Sequence, residues 1–414
     1  MKPGSNTAGP LYFLILFKVI YILAVTGMVL ICPAGQNSAM GRVNRIQWTP
    51  AGHPVFESYF TTWDAGHYLH LVEKGYQSGH KSCAFYPLWP LLVRWISNCT
   101  GHHYVISVIV LANGFSLAGF FMFYRMVSRR FGESLARSSL FLLLAFPGSL
   151  FFQFGYSEGL FFLLVMLLSF GLERNRLKMA LIAAFLLPLT RPLGIFCVFP
   201  IALQLIRRLP DACWVYWAKR IRRVKWLGRF PGREKGEGTG TGVAPLDQVG
   251  LLRWALLTAP FCGWGLYFVL MAVWTGNPFE GFAAQKYWGV QSVSNLFNVT
   301  KFVVGFLTPT SWHGFRGSMV DRCAFLLLLY CLPLIWRLDK GWFLWAVVLG
   351  IVPALTGTFT SFIRFESVVF PVFIALAVWL SSPGKKLLHL FVSASLVAMH
   401  LVFVWRFIYF EWAG

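Results

Sequence analysis

The chain has 414 residues, of which 57% are hydrophobic and 12% charged, against about 25% charged in ordinary soluble domains. That balance excludes a soluble globular fold. The formal net charge of +21 would suit a nucleic-acid binder only as a basic face on a soluble domain. Here it sits in short connectors between apolar runs, as expected of cytoplasmic loops.

The first apolar run, residues 11–31, exceeds the roughly 20 residues needed to cross a hydrocarbon core. It is too long for a signal h-region and lacks an A-x-A site, so it reads as a retained anchor and first span. Further runs follow at 105–127, 136–152 and 157–172. The strip 179–206 is interrupted by "PLTRPLG", where two prolines flank Arg191, and proline breaks a helix, so the strip divides in two. Runs at 251–274, 323–338, 341–358, 367–381 and 387–410 complete about eleven crossings. None shows the alternation of barrel strands, so the expected fold is an all-α polytopic bundle forming one integral membrane domain over 1–414.

Charge sets the expected sidedness. "RMVSRR", "ERNRLK", the segment 207–250, "WRLDK" and "SPGKK" fall on alternate turns of the chain, which are then cytoplasmic. Segment 207–250 holds ten Lys/Arg against four Asp/Glu and includes the Gly-rich tether "GEGTGTG". Its stretch "ACWVYWAKRIRRVKWLGRF" fits a basic amphipathic helix lying on anionic lipid. The connectors 32–104 and 276–322 are left on the other side, with "QFGYSEG", "TFTSFIRFE" and the Arg191 break. Asp64, Glu158, Arg191, Lys286 and Arg364 gather there, and ionisable groups at span edges are functional candidates by default. Eight cysteines show no metal spacing. Cys83 and Cys99 share the outer loop, and the sequence leaves open whether they pair.

The passage "TTWDAGHYLHLVEKGYQSGHKSCAFYPLWPLL", residues 61–92, is the most polar and aromatic in the chain. Residues 62–74 read as a helix, with Thr62 capping the first turn, Asp64 near the positive end and Gly75 stopping it. Leu69 and Val72 share a face, which suits a helix lying flat at the membrane interface. Asp64, His67 and His70 are spaced i, i+3, i+6, which turns the outer two about 120° apart and argues against a three-ligand metal site on this helix. A two-ligand site completed by another loop stays open, and no cofactor is expected.

Trp63-Asp64, Tyr68, Gly75-Tyr76 and "AFYPLWPLL" together resemble the first outer loop of the GPI mannosyltransferase II (PIG-V-like) family, a branch of the GT-C membrane glycosyltransferases. "FGYSEGLFFLL" (154–164) is similar to the family's Tyr-Ser/Thr-Glu-Ser-Leu-Phe segment, with Gly159 where Ser is usual. "LTRPLG" (189–194) resembles its Thr-Arg-Ser-x-Gly segment, and "TGNPFEGFAAQKYWG" (275–289) and "RFESVVFP" (364–371) resemble later motifs. The order and spacing cover nearly the whole chain.

The resemblance implies a GT-C-like bundle with a helical first extracytoplasmic loop. It also implies a polyprenyl or dolichyl phosphomannose donor, a glycan or glycolipid acceptor, and transfer with inversion at the outer face of a bacterial inner membrane or of the endoplasmic reticulum. Asp64 would then take the acceptor's proton, without the second carboxylate that a retaining glycosidase needs. Arg191 and Arg364 are the best candidates for the donor phosphate, with Lys286 a third; the alternative for each is a cation snorkelling to headgroups. Glu158 could hold a sugar hydroxyl, pair with an arginine or cap its helix. Trp63, Tyr156 and His67 are candidates for sugar or acceptor contact. The partners expected are these substrates and membrane lipids, with no nucleic acid. A secondary transporter of a polar or anionic solute is the rival reading, since broken helices and intramembrane charges also mark that class.

Overall fold

Apolar chain that cannot hydrogen-bond to water satisfies its backbone internally, and helices do so within one segment. The computed structural model describes residues 8–31, 56–207, 246–288 and 298–414, and no strand forms among them. The amphipathic stretch of the basic connector, the start of the first outer loop and Gly289 lie outside the described residues.

In chain order the helices are α1 (Ala8–Ile31), α2 (Asp64–Lys74), α3 (Leu88–Cys99), α4 (Tyr104–Phe131), α5 (Glu133–Ala145), α6 (Glu158–Glu173), α7 (Leu177–Thr190) and α8 (Val198–Arg207). They continue as α9 (Leu246–Thr275), α10 (Glu280–Ala284), α11 (Val299–Leu307), α12 (Met319–Leu338), α13 (Lys340–Ala346), α14 (Phe362–Glu366), α15 (Phe370–Leu380) and α16 (Lys386–Ile408). Among the described residues five helices are long and apolar enough to cross a membrane: α1, α4, the 251–275 part of α9, α12 and α16. The expected count of about eleven is not met by this measure. The other expected crossings fall on shorter elements: the 16 residues of α6 reach about 24 Å at 1.5 Å per residue, less than the ~30 Å hydrocarbon core.

These elements are short because the chain breaks where its unusual residues lie. The run 136–152, expected as one span, stops at Ala145; Phe146 is extended and Pro147 starts a 3-10 turn, Pro147–Phe152. α7 ends at Thr190, Arg191 is extended, and a second 3-10 turn runs Pro192–Cys197. Before α14 the backbone passes through Phe359 and Ser361, both at positive φ (50° and 61°). α6 packs between α4 and α7, α7 lies against α9, and α14 sits between α12 and the 147–152 turn, which α16 covers. The breaks therefore meet. Gly148 makes this contact close, because a Cβ there would strike the Ile363 carbonyl. Gly159 does the same between α6 and α4, where a Cβ would lie 2.7 Å from the Ala112 carbonyl oxygen.

α2 departs from expectation in two ways. Trp63, at φ 57°, ψ −123°, precedes it without a side-chain cap, and Thr62 Oγ1 has no partner among the described residues. The Thr62 carbonyl takes the role instead, accepting from Ala65 N at 3.3 Å and from Tyr156 OH at 2.9 Å. Nor does α2 lie with one face free: Leu69 and Val72, expected to meet lipid, are buried with Ala65, His67 and Tyr68. Cys83 and Cys99 are free thiols, and Cys83 Sγ donates to the Gln77 carbonyl at 3.1 Å.

Lys18, inside the first span, is buried. Its ammonium donates to Ser116 Oγ at 2.7 Å, Gln153 Oε1 at 2.6 Å and the Phe152 carbonyl at 3.2 Å. Three acceptors match three N–H donors, so the lysine fastens α1 to α4 and to the 147–152 turn. Replacing Lys18 with Met removes the donor to Gln153 Oε1 and leaves the Phe152 carbonyl to Ser116 Oγ alone, and is expected to cost about 2 kcal/mol or more. Thermal unfolding of the detergent-solubilised variant checks this.

Candidate active site

Four ionised side chains from four parts of the chain converge. Asp64 opens α2, Glu158 opens α6, Arg191 occupies the break after α7, and Arg364 lies in the middle of α14. Glu158 Oε1 is the shared acceptor: Arg191 Nη2 donates to it at 2.5 Å, and Arg364 Nε donates to it as well. Arg364 Nη1 then donates to Asp64 Oδ2. Two guanidinium and two carboxylate groups balance in charge, which permits burial that a lone ion would not tolerate.

Exposure separates the two acids. Glu158 is fully buried, whereas the Asp64 side chain is 24% exposed. Only the second can meet a solute without rearrangement of the bundle. Burial disfavours the charge on Arg364, yet Glu158 and Asp64 beside it hold its ionisation well above the ordinary range. Its guanidinium also lies 4.6 Å from the Tyr156 ring centroid and 5.0 Å from that of Phe151.

Two polar atoms within this buried cluster have no hydrogen-bond partner among the described residues: Arg191 Nη1 and Glu158 Oε2. One is a donor and the other an acceptor. Buried groups of this kind are costly unless satisfied, so the pair offers complementary bonds to a bound polar molecule.

A surrounding layer fixes these positions. Arg191 Nε donates to Ser157 Oγ at 3.3 Å, and the Tyr68 hydroxyl meets the same oxygen at 2.9 Å. Burial pushes the Tyr68 phenol up to about 12, so it stays neutral. Gly155 lets the 153–157 segment approach α2, where a Cβ would lie 3.4 Å from that of Ala65. Trp63 meets Trp412 edge-on at 5.2 Å, and both indole N–H groups are buried without a partner among the described residues. The positive φ of Trp63 is a conformation costing about 1–3 kcal/mol, of the sort found at functional sites.

Of the residues singled out from the sequence, Asp64, Glu158, Arg191, Arg364, Tyr156 and Trp63 are brought together. His67 faces another group: its Nδ1 meets Ser82 Oγ at 2.8 Å, and its ring stacks on Phe85 at 5.1 Å and meets Trp288 at 4.8 Å. His70 stacks on His80 at 4.1 Å. Lys286 is exposed and lies over its neighbour Tyr287 at 5.0 Å; it is not drawn into the arginine pair. Tyr68, Ser157 and Trp412 were not among the sequence candidates. Tyr68 carried a signal, since it follows Asp64 by four residues and so shares its helix face.

A helical, multi-pass membrane protein with a neutralised charge cluster at its helix breaks is the class that these features define. The family model described as Mannosyltransferase (PIG-V) matches residues 11–210, which contain Asp64, Glu158 and Arg191. The matched stretch, just under half of the chain, is similar to the PIG-V mannosyltransferases, a likeness that supports a membrane glycosyltransferase. The match favours glycosyl transfer over the transporter reading. No curated protein matches the chain.

Glu158→Gln removes the carboxylate that two arginines share. It is expected to destabilise the fold by about 3–5 kcal/mol, and adding Arg191→Met should recover part of the loss by removing the uncompensated cation. Thermal melts of the single and double variants check this. Burial, then the charge of Lys81, push His67 from 6.5 down to about 3. The unfolded chain therefore binds a proton that the folded chain refuses between these values. The His67 contribution is full above about pH 6.5 and is lost as pH falls toward 3, so His67→Gln should flatten this part of a stability-versus-pH curve.

Proposed function

We propose that the protein is an inverting mannosyltransferase that uses a polyprenyl (dolichyl-type) phosphate mannose donor and acts at the extracytoplasmic face, with Asp64 as the general base. The observation that carries this reading is the sharing of Arg364 between buried Glu158 and part-exposed Asp64, beside an Arg191 Nη1 that has no partner among the described residues.

Departure of a lipid phosphate requires fixed cations, and guanidinium forks match its oxygens. Glu158 orients Arg191 and Arg364 from behind. In this reading the donor phosphate takes the place of Asp64 on Arg364 Nη1 and also binds Arg191 Nη1, which frees the Asp64 carboxylate. The acceptor hydroxyl then attacks the anomeric carbon from the face opposite the phosphate. The bond from that carbon to phosphate oxygen breaks, the bond to acceptor oxygen forms, and the hydroxyl proton passes to Asp64. Charge developing on the phosphate is met by the two arginines. Glu158 Oε2 and the indole N–H groups of Trp63 and Trp412 are available for sugar hydroxyls. The basic connectors on alternate turns support the outward orientation of this face.

Asp64→Asn retains the shape of the side chain and removes its basicity. With purified protein in lipid nanodiscs, radiolabelled polyprenyl phosphate mannose and a mannose-terminated glycolipid acceptor, turnover is expected to fall by about 100-fold or more, while polyprenyl phosphate still binds. The wild-type product should carry an α-linked mannose from a β-linked donor. Unchanged turnover in Asp64→Asn removes the proposed base, and retention of anomeric configuration removes the single-displacement mechanism.

A further inference from the structure

The placement of Arg364 depends on a helix of only five residues, Phe362–Glu366, too short to be stable by itself. What holds it is therefore outside it. Three constraints meet at its start. Ser361 enters from the left-handed region at φ 61°, ψ 23°. Gly148 presses the 147–152 turn against the Ile363 carbonyl and the Arg364 Cα. Asp321, from the first turn of α12, accepts the Ile363 backbone N–H on Oδ1 at 2.8 Å.

The last of these is chemically unusual. Asp321 is fully buried, and no Lys or Arg among the described residues forms an ion pair with it. Its neighbour Arg322 donates to the carbonyls of Gly305, Phe306 and Ser318 instead. The Ser318 side chain caps α12 by accepting the Asp321 N–H at 3.2 Å, which fixes the backbone from which the aspartate reaches. At the other end of the short helix, Glu366 is fully buried, and neither its carboxyl oxygens nor Asp321 Oδ2 have a hydrogen-bond partner among the described residues. Burial first, and then the charge of Asp321, push the Glu366 carboxyl well above the usual carboxylate range, so Glu366 keeps its proton. A buried polar residue held at such cost, without contact to the charge cluster, needs a reason other than packing.

We propose that Asp321 is a positioning residue for sugar transfer: by holding the Ile363 amide it sets where the guanidinium of Arg364 stands between Asp64, Glu158 and the donor phosphate. This rests on the transferase reading above. Asp321 touches no substrate. Its effect passes through the backbone hydrogen bond to the residue preceding the arginine, and small displacements of a positioned group cost large factors in rate.

The test compares Asp321→Ala with Asp321→Asn, each alone and with Arg364→Lys, in nanodiscs. Leaving the buried Ile363 N–H without its acceptor corresponds to about a tenfold effect or more. Asp321→Ala should speed amide exchange in residues 362–366 by at least that factor and lower kcat for transfer from polyprenyl phosphate mannose similarly, with little change in KM. Asparagine retains an acceptor oxygen, so Asp321→Asn should restore both exchange protection and most of the turnover. On the Arg364→Lys background, where the fork is already lost, Asp321→Ala should cost less than about twofold. Equal loss on both backgrounds, failure of asparagine to rescue, or unchanged exchange in Asp321→Ala would each overturn the proposal. Wild-type protein that transfers no mannose would defeat the transferase reading, while the exchange comparison would still decide whether Asp321 holds the helix of Arg364.

Discussion

One carboxylate organises the polar interior of this protein. Glu158 lies at the start of α6 with no exposure and receives hydrogen bonds from two guanidinium groups that arrive from different chain breaks. A buried acid between two buried cations is tolerable only because the second acid, Asp64, completes the balance. The result is a chain of alternating charge, Arg191, Glu158, Arg364, Asp64, in which the first three are buried and the Asp64 end is partly exposed. Its open end, Asp64, is the group that the proposed transfer would require to be accessible.

The same constraint accounts for the broken helices. A continuous span would place these side chains along a lipid-facing or core-packed cylinder, with no common point. Proline at 147 and 192 and the positive-φ residues Phe359 and Ser361 end helices so that three turns meet at one level. Close packing of Gly148 on the 363–364 backbone makes the meeting tight. Backbone irregularity at this depth is permitted where it is covered by protein or lines a polar cavity, and here the interruptions supply the site's geometry.

Much of this could be read in the sequence because charge is conspicuous in an apolar chain. Asp64, Glu158, Arg191 and Arg364 stood out as groups unsuited to lipid, and "PLTRPLG" marked a break. Their pairing was not readable. Asp64 and Arg364 are separated by 300 positions, and no local period encodes which partner a charge will find. Lys286 has the same credentials as the arginines in the sequence, yet stays exposed, because its short turn ends at the surface. Thr62 has the residue type of a cap, but the strained Trp63 that follows it turns the hydroxyl away from the helix. Asp321 was overlooked because, at the edge of a span beside Arg322, it reads as half of an ordinary ion pair.

Lys18 was overlooked for the opposite reason, as a single charge inside an otherwise typical anchor, and its location has a consequence for biogenesis. It lies near the middle of the 24 residues of α1, while its acceptors come from positions 116, 152 and 153. When the anchor is first threaded into the bilayer, the ribosome has not yet made any of them. A lone lysine at such a depth costs about 2.5–3.5 kcal/mol on insertion scales, which the flanking leucines, isoleucines and valines must outweigh until the fourth helix and the following turn emerge. This span is thus made before the groups that seat it, and its docking secures the turn leading to Glu158.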